Sequence, residues 1–118
     1  MKQIFLIHWH STEAAQLAAP LQAEGWAVAV EVEDGARAAT RIRDKPPDAV
    51  VIFHTRLPSH GRATAAHLAE QKATRAVPII FVGGQGEALE KTRAKLPHAA
   101  YIAPEALIHT LKTLKDEK

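Results

Sequence analysis

Pro47-Asp48-Ala49-Val50-Val51-Ile52-Phe53, running on into His54-Thr55-Arg56-Leu57-Pro58, is the stretch on which the fold turns. Residues 49–53 are continuously apolar and rich in β-branched side chains. That run is too short for an ordinary helix and suits a pleated surface. A strand without polar alternation has both faces covered, as a central strand of a parallel sheet does. Lys45-Pro46-Pro47-Asp48 isolates it from whatever precedes it.

Outward from this strand, short apolar runs alternate with amphipathic stretches. Ile4-Phe5-Leu6-Ile7 predicts a first strand. Ser11-Thr12-Glu13 opens a helix with Ser11 as its N-cap and Ala14, Leu17, Ala18 and Leu21 on its inner face. Pro20 should kink this helix or cost it stability, and Gly25 should end it. Residues 26–32 predict an edge strand, with acids gathering at its end. Asp34-Gly35 forms a turn, and residues 36–43 a short helix with Ala39 and Ile42 facing inward. After the central strand a loop is expected over residues 55–61. A helix then runs to about Thr74, with Ala63, Ala66, Leu68 and Ala69 as its apolar positions. Ile79-Ile80-Phe81-Val82 is a fourth strand, Gly83-Gly84-Gln85-Gly86 a loop, and residues 87–96 a helix. Residues 99–102 form a short fifth strand, and Pro104 starts a last helix with Ala106, Leu107, Leu111 and Leu114 inward. Lys115 to Lys118 reads as a charged tail.

Five strand–helix units imply one domain over residues 1–118, of the α/β class: a three-layer, flavodoxin-like (βα)5 sandwich. Its parallel five-stranded sheet is expected in the order 2-1-3-4-5. Functional residues of such sheets collect beyond the C-terminal ends of the strands. That directs attention to residues 8–10, 53–58, 83–86 and 103–104.

Composition excludes several functions. A 118-residue chain without cysteine has no disulfide framework, thiolate zinc site or thiol nucleophile. No apolar run approaches the roughly 20 residues of a membrane span. No secretory leader is expected, since His8 cuts short the first apolar run, and the chain reads as cytoplasmic. The net charge of +2 is unevenly spread. The middle third carries Arg37, Arg41, Arg43, Lys45, Arg56, Arg62, Lys72 and Arg75 against Asp44, Asp48 and Glu70. No aromatic ladder or recognition helix lies among these cations, so nucleic acid is not expected; an ordinary solvated face is, with an acidic protein partner as the other reading.

Pro47-Asp48 before the third strand, Arg56-Leu57-Pro58 after it, Val77-Pro78 before the fourth and Pro104 after the fifth carry a family likeness. With the five βα units, the chain resembles the receiver (CheY-like) domain of bacterial response regulators over residues 2 to about 115. The resemblance implies phosphoryl transfer to an aspartate. That needs an acid pair after the first strand to hold magnesium, an acceptor aspartate after the third, a hydroxyl after the fourth and a lysine after the fifth. Here the acid pair falls on His8-Trp9, the acceptor on Phe53 or His54, the hydroxyl on Gly83 and the lysine on Ala103 or Pro104. None carries the required group. Asp48 sits at the opposite end of the sheet, and Asp34 stands alone. The resemblance therefore implies a degenerate pseudo-receiver, with His8, Trp9, Phe53, His54, Gly83 and Ala103 as the remnant of the phosphorylation pocket.

The expected function is a non-enzymatic, phosphorylation-independent signalling or scaffold module that meets a protein partner, as a monomer or homodimer, without a cofactor. The family commonly uses the face of its fourth helix, fifth strand and last helix, which here presents Glu90, Lys91, Lys95, Tyr101, His109 and Lys112. The alternative is a ligand- or transition-metal-sensing module in the crevice around His8 and His54. In it His8, His10 and His54 could converge, although no acid is placed to orient them. Trp9 is expected to plug the space of the lost acid pocket against Phe53 or Leu57, with a partner anchor as the other reading. Gly83 to Gly86 follows a strand and opens a helix but lacks the lysine and hydroxyl of a phosphate-binding loop. Ser11 and Ser59 each have a histidine beside them in sequence, which does not amount to a nucleophile–base pair.

Overall fold

The structure is a computed structural model and describes residues 2–116. Five parallel strands alternate with five helices: β1 (Gln3–Ile7), α1 (Ser11–Ala23), β2 (Ala27–Glu31), α2 (Gly35–Asp44), β3 (Ala49–Phe53), α3 (Pro58–Glu70), β4 (Ile79–Val82), α4 (Gly86–Lys95), β5 (Ala100–Ile102) and α5 (Leu107–Asp116). The strand order is β2-β1-β3-β4-β5, so the sheet has the expected topology and β2 its expected edge place. All five residues of β3 are buried. Side chains alternate between two core layers. Ile4, Leu6, Val51, Phe53, Ile80 and Val82 meet Ala14, Leu21, Leu107 and Leu111 on one face. Phe5, Ile7, Val50, Ile52 and Phe81 meet Ala38, Ile42, Ala65 and Leu68 on the other. No helix of the described residues is long and apolar enough to cross a membrane.

Several boundaries differ from the sequence reading, each for a local reason. The N-cap of α1 is His10, not Ser11: the imidazole Nδ1 accepts from the Glu13 N–H at 3.2 Å. Pro20 lies inside α1 without ending it. It occupies an exposed position, so water can satisfy the carbonyl it leaves free one turn earlier. Gly25, at φ 96°, closes the helix: its N–H donates to the Gln22 carbonyl, and that of Trp26 to Leu21. The loop after β3 is shorter than residues 55–61, because Pro58 supplies the first turn of α3. That helix ends at Glu70 rather than Thr74; buried Thr74 turns back and donates its hydroxyl to the Leu68 carbonyl at 2.7 Å. Ala63 and Ala69 are exposed, while Gly61, Thr64 and Ala65 take the inner face with Ala66 and Leu68. The helix α5 extends through Asp116, so a tail from 115 starts too early; residues 117–118 of that charged tail lie outside the described residues.

Candidate functional site

The C-terminal ends of β1, β3 and β4 bring His8, Phe53, His54 and Gly83 to one rim. His8 leaves β1 with its N–H on the Glu31 carbonyl and its ring fully buried, 5.1 Å from the Phe53 ring. Its Nε2 lies 2.9 Å from Glu13 Oε1. Arg56, from the β3–α3 loop, grips the same carboxylate through Nε at 3.3 Å and through a second, short contact of Nη2 with Oε2. The Arg56 hydrogen bond, then that of His8, holds the Glu13 carboxyl at about 2, and Glu13 in turn raises the Arg56 guanidinium. An ionised carboxylate only accepts, so His8 donates through Nε2–H, and its buried Nδ1 has no hydrogen-bond partner. The expectation that no acid orients these histidines is therefore wrong. Glu13 was read only as part of a helix start. Its place in the first turn of α1, three residues after the cap, is what aims it back at the strand end.

His54 follows β3, its N–H still donating to the Val82 carbonyl at 2.9 Å. Phe53 turns to the α1 and α5 face and His54 to the α3 and α4 face. There the His54 Nε2 meets Thr92 Oγ1 of α4 at 2.7 Å. Arg62 Nε of α3 donates to the same hydroxyl at 3.1 Å, and the hydroxyl donates to the Ala88 carbonyl. Tyr101 donates its hydroxyl to the Thr92 and Leu96 carbonyls of α4, with its ring stacked on Phe81. Burial, then the Arg62 charge, pushes the His54 imidazole below its ordinary 6.5. Gly84, at φ 89°, closes over the ring: a Cβ there would lie 2.4 Å from His54 Nδ1.

Three histidines do not converge. His8 is bound to Glu13, His10 caps α1 and His54 is bound to Thr92; among the described residues no group of three His, Asp or Glu side chains could hold a metal. Trp9 is half-buried but packs away from Phe53, and Leu57 is 52 % exposed. The indole instead spans the starts of α2 and α3, edge-on to His60 at 6.0 Å and close to Gly35 and Gly61. A groove of about 350 Å3 there is lined by Trp9, Glu33, Ala36, Ala63, Thr64 and His67 among others. Gly83 donates its N–H to the Ile102 carbonyl, and exposed Ala103 caps the short turn at Pro104–Ala106.

Much of the basic middle third is neutralised internally. Glu31, itself buried, binds Arg37 through both guanidinium contacts and lies 3.6 Å from Arg41; Arg37 foremost holds its carboxyl at about 2. Arg56 binds Glu13 and Arg43 pairs with Asp44, whereas Arg62 donates only to the uncharged Thr92 hydroxyl and the Ala88 carbonyl. On the expected interaction face, Glu90, Lys91, Lys95 and His109 are exposed, with Lys91 3.8 Å from Glu87. Lys112, one turn on from His109, reaches away from that face: its Nζ lies 3.3 Å from Glu24 at the end of α1. Tyr101 is half-buried beneath Arg93, which lies 4.7 Å over its ring.

This arrangement of strands and helices recurs in solved structures. The chemotaxis protein CheY4 of Vibrio cholerae superposes with a TM-score of 0.80 at 14 % identity, covering 97 % of this chain and 98 % of that one. The fold is that of a response-regulator receiver domain. The receiver domain of the sensor histidine kinase PA1611 from Pseudomonas aeruginosa, which has a magnesium ion coordinated in its active site cleft, matches at 0.74 and 25 % identity over 96 % of both chains. A LuxR-family two-component response regulator from Aurantimonas matches at 0.78 and 20 % identity, over 98 % of this chain and 86 % of that one. No protein-family model matches the sequence, and no curated protein matches it.

Proposed function

We propose that this receiver-like chain is a phosphorylation-independent pseudo-receiver, working in two-component signalling as a protein-interaction module and not as an enzyme. One observation carries the reading. The rim positions that would need carboxylates for magnesium and phosphoryl transfer hold His8, Trp9, Phe53 and His54, and the nearby carboxylate, Glu13, is already neutralised by Arg56 and His8. A guanidinium and an imidazole donor thus do locally what a divalent cation does for an acid pair, compensating negative charge at the rim. A magnesium ion would have to displace both from one carboxylate, and a lone carboxylate is a poor magnesium site.

The output surface we assign is the exposed face of α4 with β5, carrying Glu90, Lys91, Lys95 and Tyr101, with His109 from α5 at its margin. Intact-mass measurement after incubation with magnesium and a small-molecule phosphodonor is expected to show no added phosphoryl group. Stable labelling of any aspartate overturns the phosphorylation-independent part. A partner captured from the source organism should be lost on charge reversal at Lys91 and Lys95; its retention moves the surface elsewhere.

A further inference from the structure

We propose that protonation of the buried His54 ring is an acid-sensitive release for α4. This deepens the reading above by giving the module an input, and it rests on that reading only for its output. The mechanism begins with tautomer bookkeeping. The Thr92 hydroxyl has one proton, committed to the Ala88 carbonyl, so its oxygen accepts from Arg62 Nε and from His54 Nε2–H. The His54 Nδ1 is then a bare lone pair, buried and without a partner, pressed under the Gly84 backbone. A proton added there creates an N–H with no acceptor, in a residue only 2 % exposed. It also creates a cation beside Arg62. Around the ring, α3 presents Arg62, α4 presents Thr92, β4 presents the Phe81 ring edge-on at 5.6 Å, and the β4–α4 loop presents Gly84. Arg62 is the charge that acts on His54 among the described residues.

Relief lies next door. His54, Thr55, Pro58, Gly84, Gln85 and Ala88 line a cleft of about 450 Å3, which offers an imidazolium a route to water. Swinging into it breaks the bond to Thr92. That loss reaches the whole helix, because Thr92 is the one buried residue within α4 among the described residues; Leu96 is buried just beyond its end. The seat of α4 on the sheet is therefore largely polar, through His54, Arg62 and the Tyr101 hydroxyl, and a polar seat fails when one donor leaves. Tyr101 bonds the Thr92 and Leu96 carbonyls, so the release extends to the surface at β5.

The test is amide hydrogen exchange by NMR on the full chain at about pH 7.5 and about pH 5, each rate referred to its intrinsic rate at that pH, with the His54 ring titrated in parallel. Protection of Gly84 and of α4 is expected to fall by about tenfold or more on acidification, in step with His54, while α1 changes by less than about threefold. His54→Gln, which keeps a donor toward Thr92 and cannot titrate, is expected to abolish the loss. Should that variant fail to fold, Arg62→Gln is expected to move the midpoint of the His54 ring titration to higher pH, because it removes the like charge. Equal α4 protection at both pH values, a loss shared evenly with α1, persistence of the loss in His54→Gln, or an unmoved midpoint in Arg62→Gln each overturn the proposal. These readouts involve neither a phosphodonor nor a partner, so failure here and failure of the pseudo-receiver reading are told apart.

Discussion

Gly84 and His54 are the residues whose chemistry depends most on each other. Gly84 adopts φ 89°, a conformation that L side chains rarely adopt, and its missing side chain is the space the imidazole fills. Gly86 also has positive φ, at 63°, but faces open space. Gly86→Ala is therefore expected to cost about 1 kcal/mol, the left-handed backbone penalty alone. Gly84→Ala adds an overpacking clash and is expected to cost about 3 kcal/mol. Urea unfolding of the two variants checks the difference, and equal costs would mean that the loop over His54 is soft. Glu13 teaches a related point. The sequence shows an acid in a first helical turn, which favours a helix N-terminus on its own. Only the chain path around the rim reveals that Arg56, 43 residues away, completes it.

At the scale of the element, each helix is held by a different device, and the devices differ in how readable they are. The start of α2, expected as a turn at Asp34-Gly35 before a helix from 36, is instead a capped helix end: α2 begins at Gly35, and the Asp34 carboxylate accepts from the Ala36 and Arg37 N–H groups. Asp34→Ala is expected to lower stability by about 1 kcal/mol in thermal unfolding, with loss of α2 amide protection ahead of the other helices. The start of α1 was less legible. A histidine is an uncommon cap, and Ser11 beside it is the residue that propensity favours; here the imidazole of His10 reaches the Glu13 N–H while Ser11 becomes the first helical residue. The expectation that Pro20 kinks the helix or costs it stability weighs the missing donor without knowing that this face is wet. The helix α4 carries no side-chain cap and only one buried residue within its span, so its place depends on groups that other elements supply.

At the scale of the whole molecule, acid should weaken the fold in two stages, and the signs follow from proton uptake. His54 is depressed in the folded state, so the unfolded chain binds its proton first; stability is full above 6.5 and declines as pH falls toward the lowered value. The carboxyls of Glu13 and Glu31 are held at about 2, so their contributions are full above 4.5 and are lost as pH falls toward 2. Melting temperature against pH is expected to show both declines. His54→Gln should flatten the upper one and Glu31→Gln the lower; a single decline unaffected by either variant would contradict the assignment.

The sequence by itself determined the class and the central strand, because burial of β3 between two helical layers requires an unbroken apolar run and βα alternation requires parallel crossovers, while the strand order came with the flavodoxin-like fold it was matched to. It also determined which rim positions lack carboxylates, since that needs only the residue types at strand ends. The tertiary structure alone decided who meets whom there. The Glu13–Arg56 pair, the bond from His54 to Thr92 across 38 residues and the turn of Trp9 toward Gly35 and Gly61 are long-range contacts. No local periodicity encodes them, because hydrogen bonds and ion pairs need distances of a few ångströms that only the folded chain path sets.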